Sequence, residues 1–261
     1  MSGFSARYRV RFDEAGPDGH LRTSALLRYT QDLAGLNSEA LGYDRAWYAA
    51  EGLSWLVRTA EINVLAGIPH GSQLTGTTRV VGFRRVWSRR ETMFELGGTT
   101  VATVRIDWVL LDRRGAPTRI PPAFEQVFEV TGTGEPLALG RVTPGPTPAG
   151  AIQASLEVRP HELDPLDHVN NAVYADWLNE AVAAAGGTLG SAAVTAIPRR
   201  VRLEYALAAG PGETLDSVCW PDGDGWWCRV VRSADGSDLL RARLDVPPEP
   251  AVPTGSTTDP Q

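Results

Sequence analysis

An aspartate and a histidine four residues apart, Asp164 and His168, stand in a turn stiffened by Pro165 and lead directly into Val169, Asn170 and Asn171. A carboxylate can take a proton from water or attack a carbonyl carbon itself, and an imidazole can orient or protonate a leaving group. Val173, Trp177 and Val182 share one apolar side of the next segment, which predicts a helix over 171–185 with Gly186-Gly187 as its stop. Asn170 or Asn171 would cap its first turn, since a side-chain oxygen can accept from an orphan backbone N–H. The amides and positive dipole end of a helix start favour negative charge developing on a carbonyl oxygen. Together these residues have the makings of a site that attacks a carbonyl.

The elements that must carry such a turn occur twice. In the first half a strand over 7–12 precedes a helix from Thr23 or Ser24, as cap, to about Gly42, with Leu26, Leu27, Thr30, Leu33, Ala34 and Leu41 as its buried stripe. A loop over 43–52 leads to strands over 55–68, 73–86, 91–96 and 100–111. A Gly/Pro/Thr-rich linker over 131–151 follows, and the pattern restarts: strand 155–158, the helix, then strands 199–207, 214–220, 226–233 and 239–246. The tail from Pro247 reads as disordered. Setting His20 on His168 also sets Arg11 on Arg159, Pro17 on Pro165 and Asp32 on Glu180, and Gly71-x-x-Leu74 matches Gly212-x-x-Leu215. An antiparallel sheet wrapped around one long helix is the hotdog arrangement, so the expected fold is α+β with two fused hotdogs, each sheet around its own helix. The expected divisions are 1–130, the linker 131–151, 152–246 and the tail 247–261. The first copy has Gly16 where the second has Asp164, which makes the C-terminal half the reactive one.

The run D-x-x-x-H-V-N-N-x-x-Y-x-x-W-x-x-E, here Asp164, His168, Val169, Asn170, Asn171, Tyr174, Trp177 and Glu180, resembles the acyl-ACP thioesterases. Leu203-Glu204-Tyr205 and, in the first half, W-S-R-R-E-T-M-F-E and V-R-I-D-W-V-L-L-D-R-R-G-A-P-T-R-I-P are similar too. The resemblance covers nearly all of the chain before the tail. It implies a double hotdog that hydrolyses the thioester of a fatty acyl chain on acyl carrier protein, with acyl-CoA as the other carrier, and no cofactor. The acyl chain would lie in the N-terminal half. Asp164 and His168 carry over as catalytic residues, and Asn170 and Asn171 as positioning ones. The family pattern has Asn where Leu166 stands, and a Glu where Ala208 stands. Glu204, on the face of Ala208 by the two-residue strand period, or Asp167, beside His168, would be a substitute acid. The rival readings are an acyl-thioester binding protein without turnover, and a hotdog hydratase or dehydratase, whose D-x-N-P-x-H spacing this run lacks.

Composition removes other classes. The formal charge is −6, with 25 basic residues that are all arginine and no lysine, so nucleic-acid binding, a Walker-A loop and a Schiff-base lysine are not expected. No apolar run approaches membrane-spanning length and no leader-like core is present, so a cytoplasmic protein, monomer or homodimer, is expected. Cys219 and Cys228 flank a hairpin turn near Gly223-Asp224 and face each other; in a cytoplasm they would be reduced, and without other ligands they hold no metal. The pairs Arg84-Arg85, Arg89-Arg90, Arg113-Arg114 and Arg199-Arg200 would suit an acidic carrier or its phosphates, or merely solvated strand ends. Trp55, Trp87 and Trp108 read as core, and His70 and His161 as ordinary surface or core histidines.

Overall fold

Alternating apolar and polar residues decide most of the architecture, because a strand so patterned buries one face and wets the other. The computed structural model of the chain describes residues 3–128, 130 and 140–247. The first half runs β1 (Phe4–Arg9), α1 (Thr23–Ala40), α2 (Arg45–Glu51), β2 (Ser54–Val64), β3 (Gln73–Arg84), β4 (Trp87–Leu96), β5 (Thr99–Leu111) and α3 (Ala123–Val127). The second runs β6 (Ile152–Glu157), α4 (Val173–Thr195), β7 (Arg199–Tyr205), β8 (Thr214–Asp222), β9 (Gly225–Arg232) and β10 (Asp238–Asp245).

All ten strands form one antiparallel sheet in the order β1-β3-β4-β5-β2-β7-β10-β9-β8-β6. Its two halves read as mirror lists of equivalent strands, as a twofold relation between them requires. The seam is the pairing of β2 with β7, from Thr59 opposite Glu204 to Val64 opposite Arg199. Each half wraps its own helix as expected, and the two sheets meet edge to edge. Because β2 and β7 satisfy each other's edges, the sheets become one and the buried residues form a single cluster across the seam. Within it Leu26, Leu27 and Leu33 of α1 and Tyr174, Trp177 and Leu178 of α4 are buried, each apolar side chain contributing about 1.5–3 kcal/mol.

Local structure departs from expectation at several points. Thr23 and Ser24 do not cap α1: the cap position is Arg22, while Thr23 Oγ1 accepts from Arg199 and Ser24 Oγ from Arg28. The expected loop over 43–52 contains α2, capped by the Asp44 carboxylate on the Trp47 N–H at 2.7 Å. The helix of the second half does not stop at Gly186-Gly187. Gly187, at φ 53°, bends it and the chain resumes helix to Thr195. Gly186 is small because a Cβ there would meet the Trp226 ring.

Cys219 and Cys228 sit opposite each other with Cα atoms 4.2 Å apart and are disulfide-bonded, which corrects the expectation of reduced thiols. The linker is not wholly a surface connector, since Val142 is buried. Residues 131–139 of that linker, and the tail from 248 on, lie outside the described residues. Among the described residues no helix is long and apolar enough to cross a membrane.

Candidate active site

The turn that carries Asp164 is built by main-chain bonds that exist in both halves. The Asp164 N–H donates to the His168 carbonyl at 2.7 Å, as Gly16 does to His20 at 2.8 Å. Asn170 N–H donates to the Glu162 carbonyl at 2.9 Å, as Arg22 does to Glu14 at 3.0 Å. Glu162 anchors the assembly: its carboxylate accepts from the Arg159 N–H at 2.7 Å and from the Trp177 indole at 3.1 Å. In the first half Glu14 does the same with Arg11 and the Tyr29 hydroxyl. Tyr174 and Tyr205 lock the second turn from below. The Tyr174 hydroxyl accepts from the Ala209 N–H at 3.1 Å, and Tyr205 donates to the Asn171 carbonyl at 2.9 Å. Burial pushes the Tyr174 phenol up to about 12 and raises that of Tyr205 further, so both remain protonated.

Within this frame Asp164 is half-buried. Its Oδ1 accepts from the Leu166 N–H at 2.8 Å and faces the His168 N–H at 3.5 Å, whereas Oδ2 meets no partner among the described residues. Asp167 takes a left-handed conformation at φ 60° and its side chain is exposed. Asn170 does not occupy the cap position, which is Ala172, but it does the work of a cap. Its Oδ1 accepts from the Ala172 N–H at 2.9 Å and its carbonyl from the Val173 N–H at 2.9 Å. The Ala172 and Val173 amides, and that of Ala175 through the Ala172 carbonyl, are therefore used by the protein. What the arrangement offers instead is the Asn170 Nδ2, turned away from Ala172 because the oxygen must face a donor. Among the described residues Asn171 takes part through its carbonyl, which accepts from Tyr205.

Asp164, Pro165, Leu166 and Asn170 line one wall of a cavity of about 680 Å3 whose other walls come from the first half. Gln31, Ala34, Gly35 and Ser38 of α1 face Val80, Phe83, Ser88 and Arg90 across it, with Tyr43 and Tyr48 around α2 and Trp55 and Trp108 from β2 and β5. Trp55 and Trp108 are thus cavity walls rather than plain core. The size suits a small-molecule pocket, and Leu166, 62% exposed, forms its lip. His168 is exposed and is not among the lining residues, so the turn joins Asp164 to the cavity but not the imidazole.

Glu204 is not brought to this cavity. It is buried on the opposite face of the sheet, where its Oε2 accepts from the Val142 N–H at 2.9 Å and Oε1 lies 3.7 Å from Arg58 and 3.6 Å from Arg241. β7 ends at Tyr205, so the two-residue period does not extend to Ala208, which is exposed and outside the cavity. The arginine pairs are dispersed as well. Arg89 chelates Asp107 at 2.6 and 2.8 Å, Arg200 pairs with Glu61 at 2.6 Å, and Arg199 is buried. Arg90, missed as a site residue, projects into the cavity, where burial pushes its guanidinium down to about 10. The signal was present in the sequence: strand alternation puts Ser88, Arg90, Thr92 and Phe94 on one face, and Phe94 has to be inside.

Comparison with known proteins gives the family and the fold. The profile of the acyl-ACP thioesterase N-terminal domain matches residues 2–127, and that of the acyl-ACP thioesterase C-terminal domain matches residues 147–243. The chloroplastic palmitoyl-acyl carrier protein thioesterase of Cuphea hookeriana is 22% identical over 280 residues, covering 98% of this chain and 66% of that protein's length. The fold is shared with the 12:0-ACP thioesterase of Umbellularia californica at a TM-score of 0.75 and 19% identity, covering 94% of this chain and 98% of that one. It is also shared with a Lactobacillus plantarum protein assigned as an oleoyl thioesterase, at a TM-score of 0.81 and 19% identity, covering 95% of this chain and 98% of that one. Matched in order by both domains of one family, the chain belongs to the acyl-ACP thioesterases.

Proposed function

We propose that the chain hydrolyses the thioester joining a fatty acyl group to acyl carrier protein, releasing the free acid and the carrier thiol, with acyl-CoA as the other carrier. The N-terminal half, 1–130, holds the acyl chain and the C-terminal half, 152–246, does the chemistry. The observation that carries this reading is that Asp164 and Asn170 of one half share a single, largely apolar cavity with α1, Phe83 and Trp108 of the other. Asp164 Oδ2, unengaged by the protein, takes a proton from water as the water oxygen adds to the thioester carbon. The Asn170 Nδ2–H donates to the oxygen that becomes negative. The C–S bond then breaks, and the proton held by Asp164 returns to the departing thiolate. His168 supports the turn through its main chain, and its imidazole lies outside the cavity.

Leu166 and Ala208, standing where the family has Asn and Glu, favour a second reading: an acyl-thioester binding protein without turnover. Release of free thiol from acyl-ACP and acyl-CoA separates the two. Thiol appearing faster than in protein-free buffer supports hydrolysis and identifies the carrier. Binding of acyl-pantetheine with no thiol released from either carrier selects the second reading.

A further inference from the structure

Arg90 stands in the cavity with a charge the proposed hydrolysis does not use. It is 5% exposed and sits on the α1 side of the sheet. Its Nη1 donates to Asn37 Oδ1 at 2.8 Å and lies 3.4 Å from Thr78 Oγ1, which leaves most of its five N–H donors without an acceptor among the described residues. The two carboxylates that line the same cavity, Glu39 and Asp164, form no ion pair with it. A second donor is also unmatched: the Trp108 indole nitrogen is buried with no hydrogen-bond partner among the described residues. Trp108 lines the cavity opposite Ser88 in the β4–β5 ladder, two residues from Arg90. The guanidinium also lies 5.8 Å over the Phe128 ring, which faces its charge but accepts none of its remaining N–H bonds in the ring plane. A plain hydrocarbon chain laid here would shut those donors off from water and offer them no acceptor.

These donors are remote from the reacting end. Arg90 is anchored on Asn37, near the end of α1, whereas α1 meets the start of α4 where Arg28 reaches Asp176 at 3.4 Å. Nine residues of helix separate the two points, roughly 13 Å at 1.5 Å per residue.

We propose that the acyl group this cavity takes carries an oxygen acceptor in its distal part, and that Arg90, with Trp108 beside it, is the residue that selects for it. The inference rests on the reading of the cavity as an acyl site. A carboxylate would fill the guanidinium fork with two parallel bonds, and a hydroxyl or carbonyl oxygen would engage it singly. A site built to satisfy a polar group rejects analogues lacking it, because its own donors are then left unpaired.

The test uses non-hydrolysable acyl-pantetheine amides of one chain length ending in methyl, hydroxyl or carboxylate, with affinities measured by calorimetry on the full chain. The corresponding thioesters are followed in parallel by thiol release. The expected result is that the wild type binds the carboxylate or hydroxyl form tighter than the methyl form, by on the order of tenfold to a hundredfold. Arg90→Met should reverse that order, and Arg90→Lys should keep part of it. Should Arg90→Met not fold, wild type and Arg90→Lys decide alone. Equal or tighter binding of the methyl form by the wild type overturns the inference, even with rapid hydrolysis. Selective binding of the oxygenated forms without thiol release leaves the inference standing and removes the hydrolysis.

Discussion

The Gly16–His20 turn and the Asp164–His168 turn are nearly the same object with different contents. Both are closed by the same main-chain bonds and both are anchored by a buried glutamate. In the first, Asp18 Oδ1 accepts from the His20 N–H at 3.1 Å; in the second, Asp164 Oδ1 accepts within its turn instead. Holding the turn therefore does not demand a carboxylate at the position of Asp164, and the glycine copy folds without one. The helices differ in the complementary sense. Positions Gln31, Ala34, Gly35 and Ser38 of α1 border open cavity, whereas their counterparts on α4 are Asn179, Val182, Ala183 and Gly186, with Val182 buried and the Trp226 ring packed on Gly186. One half has been hollowed and the other filled, and the carboxylate belongs to the filled one. On the proposed function, the hollowed copy is the container and the filled copy, with the carboxylate, is the tool.

The largest separation between the copies should appear on removing the charge. Asp164→Asn is expected to lower kcat by roughly 10² to 10⁴ while leaving the affinity for an acyl-pantetheine amide nearly unchanged. Asp18→Asn should leave kcat as it is; equal losses in the two variants would erase the distinction. Next is the donor. Asn170→Ala should cost roughly 10²-fold in kcat, in the range for one oxyanion donor, whereas Arg22→Ala at the equivalent place should cost none. A smaller effect is expected at the histidines. His168→Ala should slow turnover by less than about tenfold, since its ring does not line the cavity, and a loss as large as that of Asp164→Asn would place it in the reaction.

The smallest effect is on stability and concerns Tyr174, whose counterpart is the non-titrating Leu26. The Tyr174 pKa is raised above its ordinary 10.0 to about 12, so its stabilising effect is complete below pH 10 and is lost as pH rises toward 12. Denaturant titrations of wild type and Tyr174→Phe should show a slope difference confined to that window, on the order of 3 kcal/mol in total. Parallel pH profiles would deny the burial of the phenol.

Strands and the repeat were legible because both rest on periodicity, which survives without knowledge of contacts. The Asp164 turn was legible because Pro165 and the paired copy mark it. Legibility failed where a residue's face or partner decides its role. Arg89 and Arg90 are neighbours in sequence yet lie on opposite faces of β4, one chelating Asp107 and one inside the cavity. Glu204 reads as a spare acid only while β7 is taken to continue past Tyr205. Short α2 was hidden in a stretch of mixed aromatics, whose Tyr43, Trp47 and Tyr48 pack edge-on beside the cavity. The bend at Gly187 could not be told from a stop, since glycine serves both.

The division of labour is tested most directly by the structure of the full chain with a non-hydrolysable acyl-pantetheine amide bound. The chain should lie between α1 and β4, with its carbonyl carbon facing Asp164 and its carbonyl oxygen roughly 2.6–3.2 Å from Asn170 Nδ2. An acyl chain buried against α4, or a carbonyl seated on the Gly16–His20 turn, would contradict it.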